Sequence, residues 1–258
     1  MAAIPAQRSA RNGFELLTAL TSRDLRLRYQ GSFFGWAWSL VRPLALGLIL
    51  SFALDTVLGT GITAAFLLTG LFPWFWFQGS VQGATTAFAG NGGLLKKVRF
   101  PRAVLPLSIV MGATLQFLLA LPVLAAFLII DGNEPDPVWL VGVPLLFAVQ
   151  LALSCGVALF VATVTVFFRD LEHITEVLLT LLFYGTPIIY SADRVPDGYQ
   201  WVLDINPLAP VMEGWRDVLL DGELPGANFA FAIGLTLVAV LVGWWTFRNF
   251  EDAFADVV

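Results

Sequence analysis

Four cations, Lys96, Lys97, Arg99 and Arg102, fall within seven residues, with Phe100-Pro101 set among them. Such a run can anchor a loop at an anionic membrane face. A stiff apolar knob amid charge also suits a short element that plugs into a groove on another protein. A second basic group, Arg23, Arg26 and Arg28, shares its segment with Asp24. Aromatic rings cluster at Trp36/Trp38 and at Phe72-Pro73-Trp74-Phe75-Trp76-Phe77. Interface belts explain many such clusters, yet flat aromatic faces are also platforms for the C–H faces of sugar rings. Tyr184 and Tyr190 flank Gly185-Thr186-Pro187 and can serve in the same way inside a channel. Each group therefore carries two readings, one of anchoring and one of recognition.

Enzyme chemistry has little to work with. There is no G-x-x-x-x-G-K-[ST] to cradle ATP phosphates. The single Cys155 excludes a disulfide framework, a C-x-x-C pair and a Cys/His metal cluster. His173 ends Arg169-Asp170-Leu171-Glu172-His173, which reads as a solvated turn. Glu172 and Glu176 stand at a helix start, where acids suit the dipole, although Glu176 at a membrane border can also line a pathway. An intramembrane glycan-modifying enzyme would need a carboxylate or His cluster at one face. Asp193, Asp197, Asp204 and Asp217 are its candidates, and they lack motif spacing. No catalytic residue and no metal ligand is assigned.

The elements that must position these residues follow from composition. Of the 258 residues 58% are hydrophobic and only 13% charged, too apolar for a water-soluble globule. Six apolar stretches approach the ~20 residues that a transmembrane helix needs. They lie at about 35–57, 62–89, 103–130, 138–168, 174–192 and 228–247. The runs are continuous, without the period-2 alternation of barrel strands. The expected fold is thus an all-α integral membrane protein, with a six-span domain over 35–248 and a tail at 249–258.

Residues 1–34 form a tail and an amphipathic interfacial helix, with no apolar core of a cleavable signal peptide. Phe14, Leu16, Leu17, Leu20, Leu25 and Leu27 share one half of its wheel, and Asp24 can pair with Arg28 four residues on. Between the fifth and sixth spans, residues 191–226 are too apolar in places for a plain loop. They suggest one or two short re-entrant or interfacial helices.

Charge is sorted by side. With six spans, one side collects 12 of the 14 Lys and Arg residues and the other only Arg194 and Arg216, which share it with 11 acids. The net charge of −5 resolves into +4 and −9. By the positive-inside rule both ends face the cytoplasm.

Four blocks in order along the chain resemble the permease subunit of ABC-2-type exporters, those moving lipid-linked O-antigen, teichoic acid and related cell-envelope polysaccharides. The first is Arg23-Asp24 with Arg28-Tyr29, then Ser32, Gly35, Trp38 and Pro43; the second is Lys96-Lys97 with Phe100-Pro101-Arg102 and Pro106. The third is Arg169-Asp170 with Thr186-Pro187-Ile188 and Tyr190; the fourth is Asn206-Pro207 with Arg216, Leu219 and Gly222. Thr186 stands where such permeases often have Ser, and Ser191 where Pro is frequent; both touch the outer gate.

The resemblance implies a homodimer in the bacterial cytoplasmic (inner) membrane, bound to two copies of a separate ATPase that carries ATP and Mg2+. It implies no cofactor on this chain. It assigns ATPase coupling to Arg23, Asp24, Arg28, Lys96, Lys97, Arg99, Phe100, Pro101 and Arg102. A substrate channel would draw on Trp36, Trp38, Trp74, Trp76, Tyr184 and Tyr190. An outer gate would draw on Thr186, Pro187, Asn206, Pro207 and Arg216. An ABC-2 permease for a drug or small lipid shares the core and would not need the aromatic channel.

Overall fold

The structure, a computed structural model, describes residues 6–32, 35–93 and 100–254. Lys96, Lys97 and Arg99 lie outside the described residues, as do the side chains of Arg28 and Trp36. Every regular element among the described residues is helical. Among the described residues the longer helices are α1 (Ala6–Tyr29), α2 (Trp38–Ser51), α3 (Ala64–Ala84), α4 (Val104–Ile130), α5 (Trp139–Phe167), α6 (Leu171–Gly185), α7 (Ala209–Arg216) and α8 (Phe229–Phe250). Shorter turns, including the single turn Trp201–Asp204, connect them.

Among the described residues four helices are long and apolar enough to cross a membrane: α2 with its wider continuation to Val57, α4, α5 and α8. They coincide with four of the expected spans to within three residues. The other two expected spans look different. The 62–89 stretch forms α3, which stops at Ala84 and passes into turns. The 174–192 stretch forms α6, whose 15 residues rise ~22 Å, less than the ~30 Å of a bilayer core. Helix α6 ends where it does because Pro187 lacks an N–H and restricts the residue before it; Thr186 is extended, with φ −103° and ψ 140°.

Helix α3 is the enclosed element. It packs against α2, α4, α5, α6 and α7, and its buried residues, among them Leu67, Leu68, Phe72, Trp74 and Trp76, run all round the helix. A helix apolar on every side is one surrounded by protein. Thr63 caps its start, with Oγ1 accepting from the Phe66 N–H.

The most extensive helix pair is α5 with α8. It rests on backbone meeting backbone at two glycines. A Cβ on Gly156 would come within 2.6 Å of the Ala239 and Val240 main chain, and a Cβ on Gly243 would strike the Gly156 carbonyl. Small residues permit this approach in membranes, where packing rather than water drives helices together. Helix α1 lies against the first turns of α4, at the bundle end that also carries the residues after α8. The opposite end carries the 131–137 turn, α7 and the turns before it.

Because neither glycine contact can be relieved by a rotamer, Gly156→Ala should cost about 1–3 kcal/mol. Ser154→Ala, two residues away, removes a buried hydroxyl that has no hydrogen-bond partner and should cost almost nothing. Thermal unfolding in detergent separates the two; equal midpoints would remove the glycine contact from the account.

Candidate functional site

At the basic end, α1 turns Leu16, Leu17 and Leu20 into a core shared with Phe88, Val104 and Leu105. Thr21 fixes the crossing: its hydroxyl approaches the Leu17 carbonyl at 2.8 Å and the Ser108 carbonyl of α4 at 3.3 Å. The apolar half of the wheel is therefore split. Phe14 and Leu27 are exposed while Leu20 is buried.

Arg23 bridges the two segments assigned to coupling. It donates twice to Asp24 Oδ1, at 2.9 and 2.8 Å, and at 2.8 Å to Asn91 Oδ1 at the start of the basic loop. Asp24 thus takes its neighbour Arg23 as partner. Pairs this exposed contribute at most ~1 kcal/mol each, so the bridge orients more than it stabilises. Beside it, Ala19, Ser22, Arg23, Arg26 and Leu27 line a shallow groove.

The expected apolar knob is half a knob. Phe100 packs against its own subunit's core, beside Val104 and Leu105, and only Pro101 is exposed. Arg102 is engaged as well, donating to the Glu251 carbonyl.

The aromatic cluster needs a correction. Trp74 and Trp76 are 1% and 3% exposed and belong to the core. Trp76 stacks with Phe117 and Phe147, centroids at 4.5 and 5.1 Å, and donates its Nε1–H to Thr114 Oγ1 at 3.0 Å. Trp74 packs against Phe77 and Phe183. Both rings are thus committed to neighbours within the subunit rather than presented on its surface. Trp38 and Tyr184 are exposed. Tyr190 is half-buried, and its hydroxyl donates to the Tyr184 carbonyl.

The opposite end brings four of the five expected gate residues into one network. Arg216, 5% exposed, donates to the carbonyls of Pro187, Ile188 and, at 3.4 Å, Phe66. Its guanidinium also lies 3.7 Å from the Phe66 ring centroid. Asn206 donates to Thr186 Oγ1 at 2.8 Å and to the Gly185 carbonyl at 3.1 Å, while its Oδ1 accepts from the Leu208 N–H. Thr186 in turn donates to the Leu182 carbonyl at 2.6 Å. The broken end of α6 is thereby satisfied by side chains from the α7 segment. Pro207 is half-buried and precedes α7 without joining the bonds.

Arg216 faces carbonyl dipoles, and no described carboxylate stands within ion-pair reach of it. Burial draws its pKa down to about 10, opposed by Glu213, Asp217 and Asp221 nearby, so it keeps its charge at neutral pH. The same burial raises the Glu213 carboxyl, and Asp217 adds to the effect.

One residue escaped the sequence reading. Gln150, fully buried in α5, donates to the Pro73 carbonyl of α3 and accepts from Trp215 Nε1 of α7, each at 2.7 Å. A lone amide inside a 29-residue apolar helix was the available signal, since polar groups at that depth must find partners.

Replacing Arg216 by Ala takes the donor from the Pro187 and Ile188 carbonyls, while the Phe66 carbonyl keeps the Thr69 hydroxyl, and should destabilise by about 1.5–3 kcal/mol per charged hydrogen bond not replaced by water. Arg216→Lys should recover only part, because an ammonium lacks the planar fork. Limited proteolysis of the 191–226 segment reads the effect directly; wild-type resistance in Arg216→Ala would deny the network its role.

The chain matches the family described as ABC-2 type transporter over residues 15–220. It is 36% identical over 247 residues to the O-antigen export system permease protein RfbA of Klebsiella pneumoniae, covering 95% of each chain. The RfbA protein of Myxococcus xanthus is 34% identical over 251 residues, 94% of this chain and 95% of that one. The polysialic acid transport protein KpsM of Escherichia coli is 28% identical over 264 residues, 95% and 98% respectively. With four membrane-crossing helices, enclosed α3 and a family match over most of its length, the chain belongs to the ABC-2 type transporter family.

Proposed function

We propose that this chain is the permease subunit of an ATP-driven exporter that moves lipid-linked polysaccharide across the bacterial cytoplasmic membrane. The observation that carries this reading is likeness to O-antigen export permeases over 95% of both chains. The chain is not itself the enzyme: hydrolysis of ATP, with its Mg2+, belongs to a separate ABC ATPase, two copies of which serve a homodimer of this chain.

In this reading α3 and α6 complete six spans. Helix α3 packs against five other helices, with Gln78 and Gln82 on a half-buried face of its second half. Helix α6 crosses with the help of the bonded turn that follows it, and α7 re-enters from the outer side. The biased charge supports both ends lying in the cytoplasm. Phe14 of α1 then faces lipid, while the groove at Ser22, Arg23, Arg26 and Leu27 and the exposed Pro101 face the ATPase. Trp36, Trp38, Tyr184 and Tyr190 are the aromatics assigned to meet a glycan between subunits, and the Arg216–Asn206 network braces the outer gate.

The purified chain alone should hydrolyse no ATP; adding the cognate ATPase in proteoliposomes should give hydrolysis and glycan export. Turnover by this chain alone would sink the reading. Arg23→Glu combined with Pro101→Ala should lower export per ATP hydrolysed at least tenfold; undiminished coupling would remove this face from the ATPase contact. Tyr184→Ala should slow glycan export, and an export rate equal to wild type would favour a permease for a small lipid or drug.

A further inference from the structure

The described residues that follow α8, Glu251–Phe254, turn back onto the bundle. A turn at Glu251–Ala253 folds them back, and Phe254, 1% exposed, enters the bundle. Its ring centroid lies 4.6 Å from Phe88, 5.9 Å from Phe247 and 6.2 Å from Phe167. These rings come from the segment after α3, from α8 and from α5. The same core holds Leu20 of α1 with Val104 and Leu105 of α4. One side chain therefore sits where both ATPase-facing segments meet the α5–α8 pair.

Polar contacts close the turn from the other side. Arg102, at the end of the basic loop, donates to the Glu251 carbonyl. Arg248 donates to Glu251 Oε1 at 3.0 Å, and cations suit the last turn of a helix. Transfer from water does not by itself explain the placement of Phe254. At a membrane border a phenyl ring can be buried in lipid just as well, so insertion into protein reflects specific packing. Rings at these tilted and edge-on angles prefer one arrangement over others.

We propose that Glu251–Phe254 is a clasp that holds the ATPase-facing platform, α1 and the entry to α4, in fixed register with α5 and α8, with Phe254 as its positioning residue. The clasp rests on the reading that this platform docks the ATPase. It makes the residues after α8 part of the coupling apparatus through the contacts they hold in place.

The test uses the full chain in lipid nanodiscs and reads amide hydrogen exchange by mass spectrometry. Phe254→Ala should raise exchange at least tenfold in α1 and in the first turns of α4, and leave α7 at the far end unchanged. Phe254→Leu should restore most of the protection and serves if the alanine variant is poorly produced. Affinity for the cognate ATPase should fall at least tenfold in Phe254→Ala and return in Phe254→Leu. Exchange that is unchanged, or that rises equally in α7, overturns the clasp, as does wild-type affinity in Phe254→Ala. Failure of the docking reading shows separately, as wild-type affinity in the Arg23→Glu, Pro101→Ala chain.

Discussion

A membrane interior supplies no water to bond a broken backbone, and where α6 breaks, the carbonyls of Gly185, Pro187 and Ile188 are met by two side chains. Arg216 and Asn206 reach back from the segment beyond α6 and supply the missing donors. Pro187 ends α6 and Ile188, Leu208 and Met212 pack the following segment into the core; the two side chains supply the hydrogen bonds that this packing cannot. A positive charge is buried in the process. Carbonyl dipoles and the Phe66 ring take the place of a carboxylate, so the charge is held by oriented dipoles rather than by a partner that could itself titrate.

The same end is tied to the middle of the bundle by Gln150. Its amide joins α5, α3 and α7 through two 2.7 Å bonds, and the Trp215 ring it holds stands edge-on to Phe117, 5.5 Å away. Phe117 in turn stacks on Trp76. Amide, indole and phenyl rings thus form one contiguous packed path from the outer turns into the centre of the subunit. The far end has its own core around Leu20, Phe88 and Phe254. Glycine contacts between α5 and α8 connect the two regions through backbone alone.

Much of this was legible in the residues. Four spans could be read to within three residues because a continuous apolar run longer than 18 residues leaves few alternatives. The ends of α3 and α6 were harder: Gln82 and Glu176 sit inside apolar stretches, and where a helix stops depends on partners elsewhere in the chain. Thr186, Asn206 and Arg216 were grouped together through the family resemblance, but their bonds were not foreseen, since nothing in local spacing links positions about 20 to 30 apart. Trp74 and Trp76 misled because a ring's chemistry is the same in a core and in a channel. Only the neighbours Phe117, Phe147 and Phe183 decide which it is. Phe100 is half-buried against the core that holds Val104 and Leu105, a packing that the run of charges around it did not signal.

The enclosure of α3 has a consequence for how such a chain diversifies. Most of that helix is committed to neighbours, so an exchange at buried Leu67, Phe72 or Trp76 calls for compensating exchanges on the helices around it. Helix α6 is the opposite case, with Val177, Leu178, Leu181 and Tyr184 all exposed in the subunit. Single substitutions there can accumulate without disturbing the interior. Descendants of this architecture can therefore acquire new cargo by altering the rim while inheriting the axle unchanged.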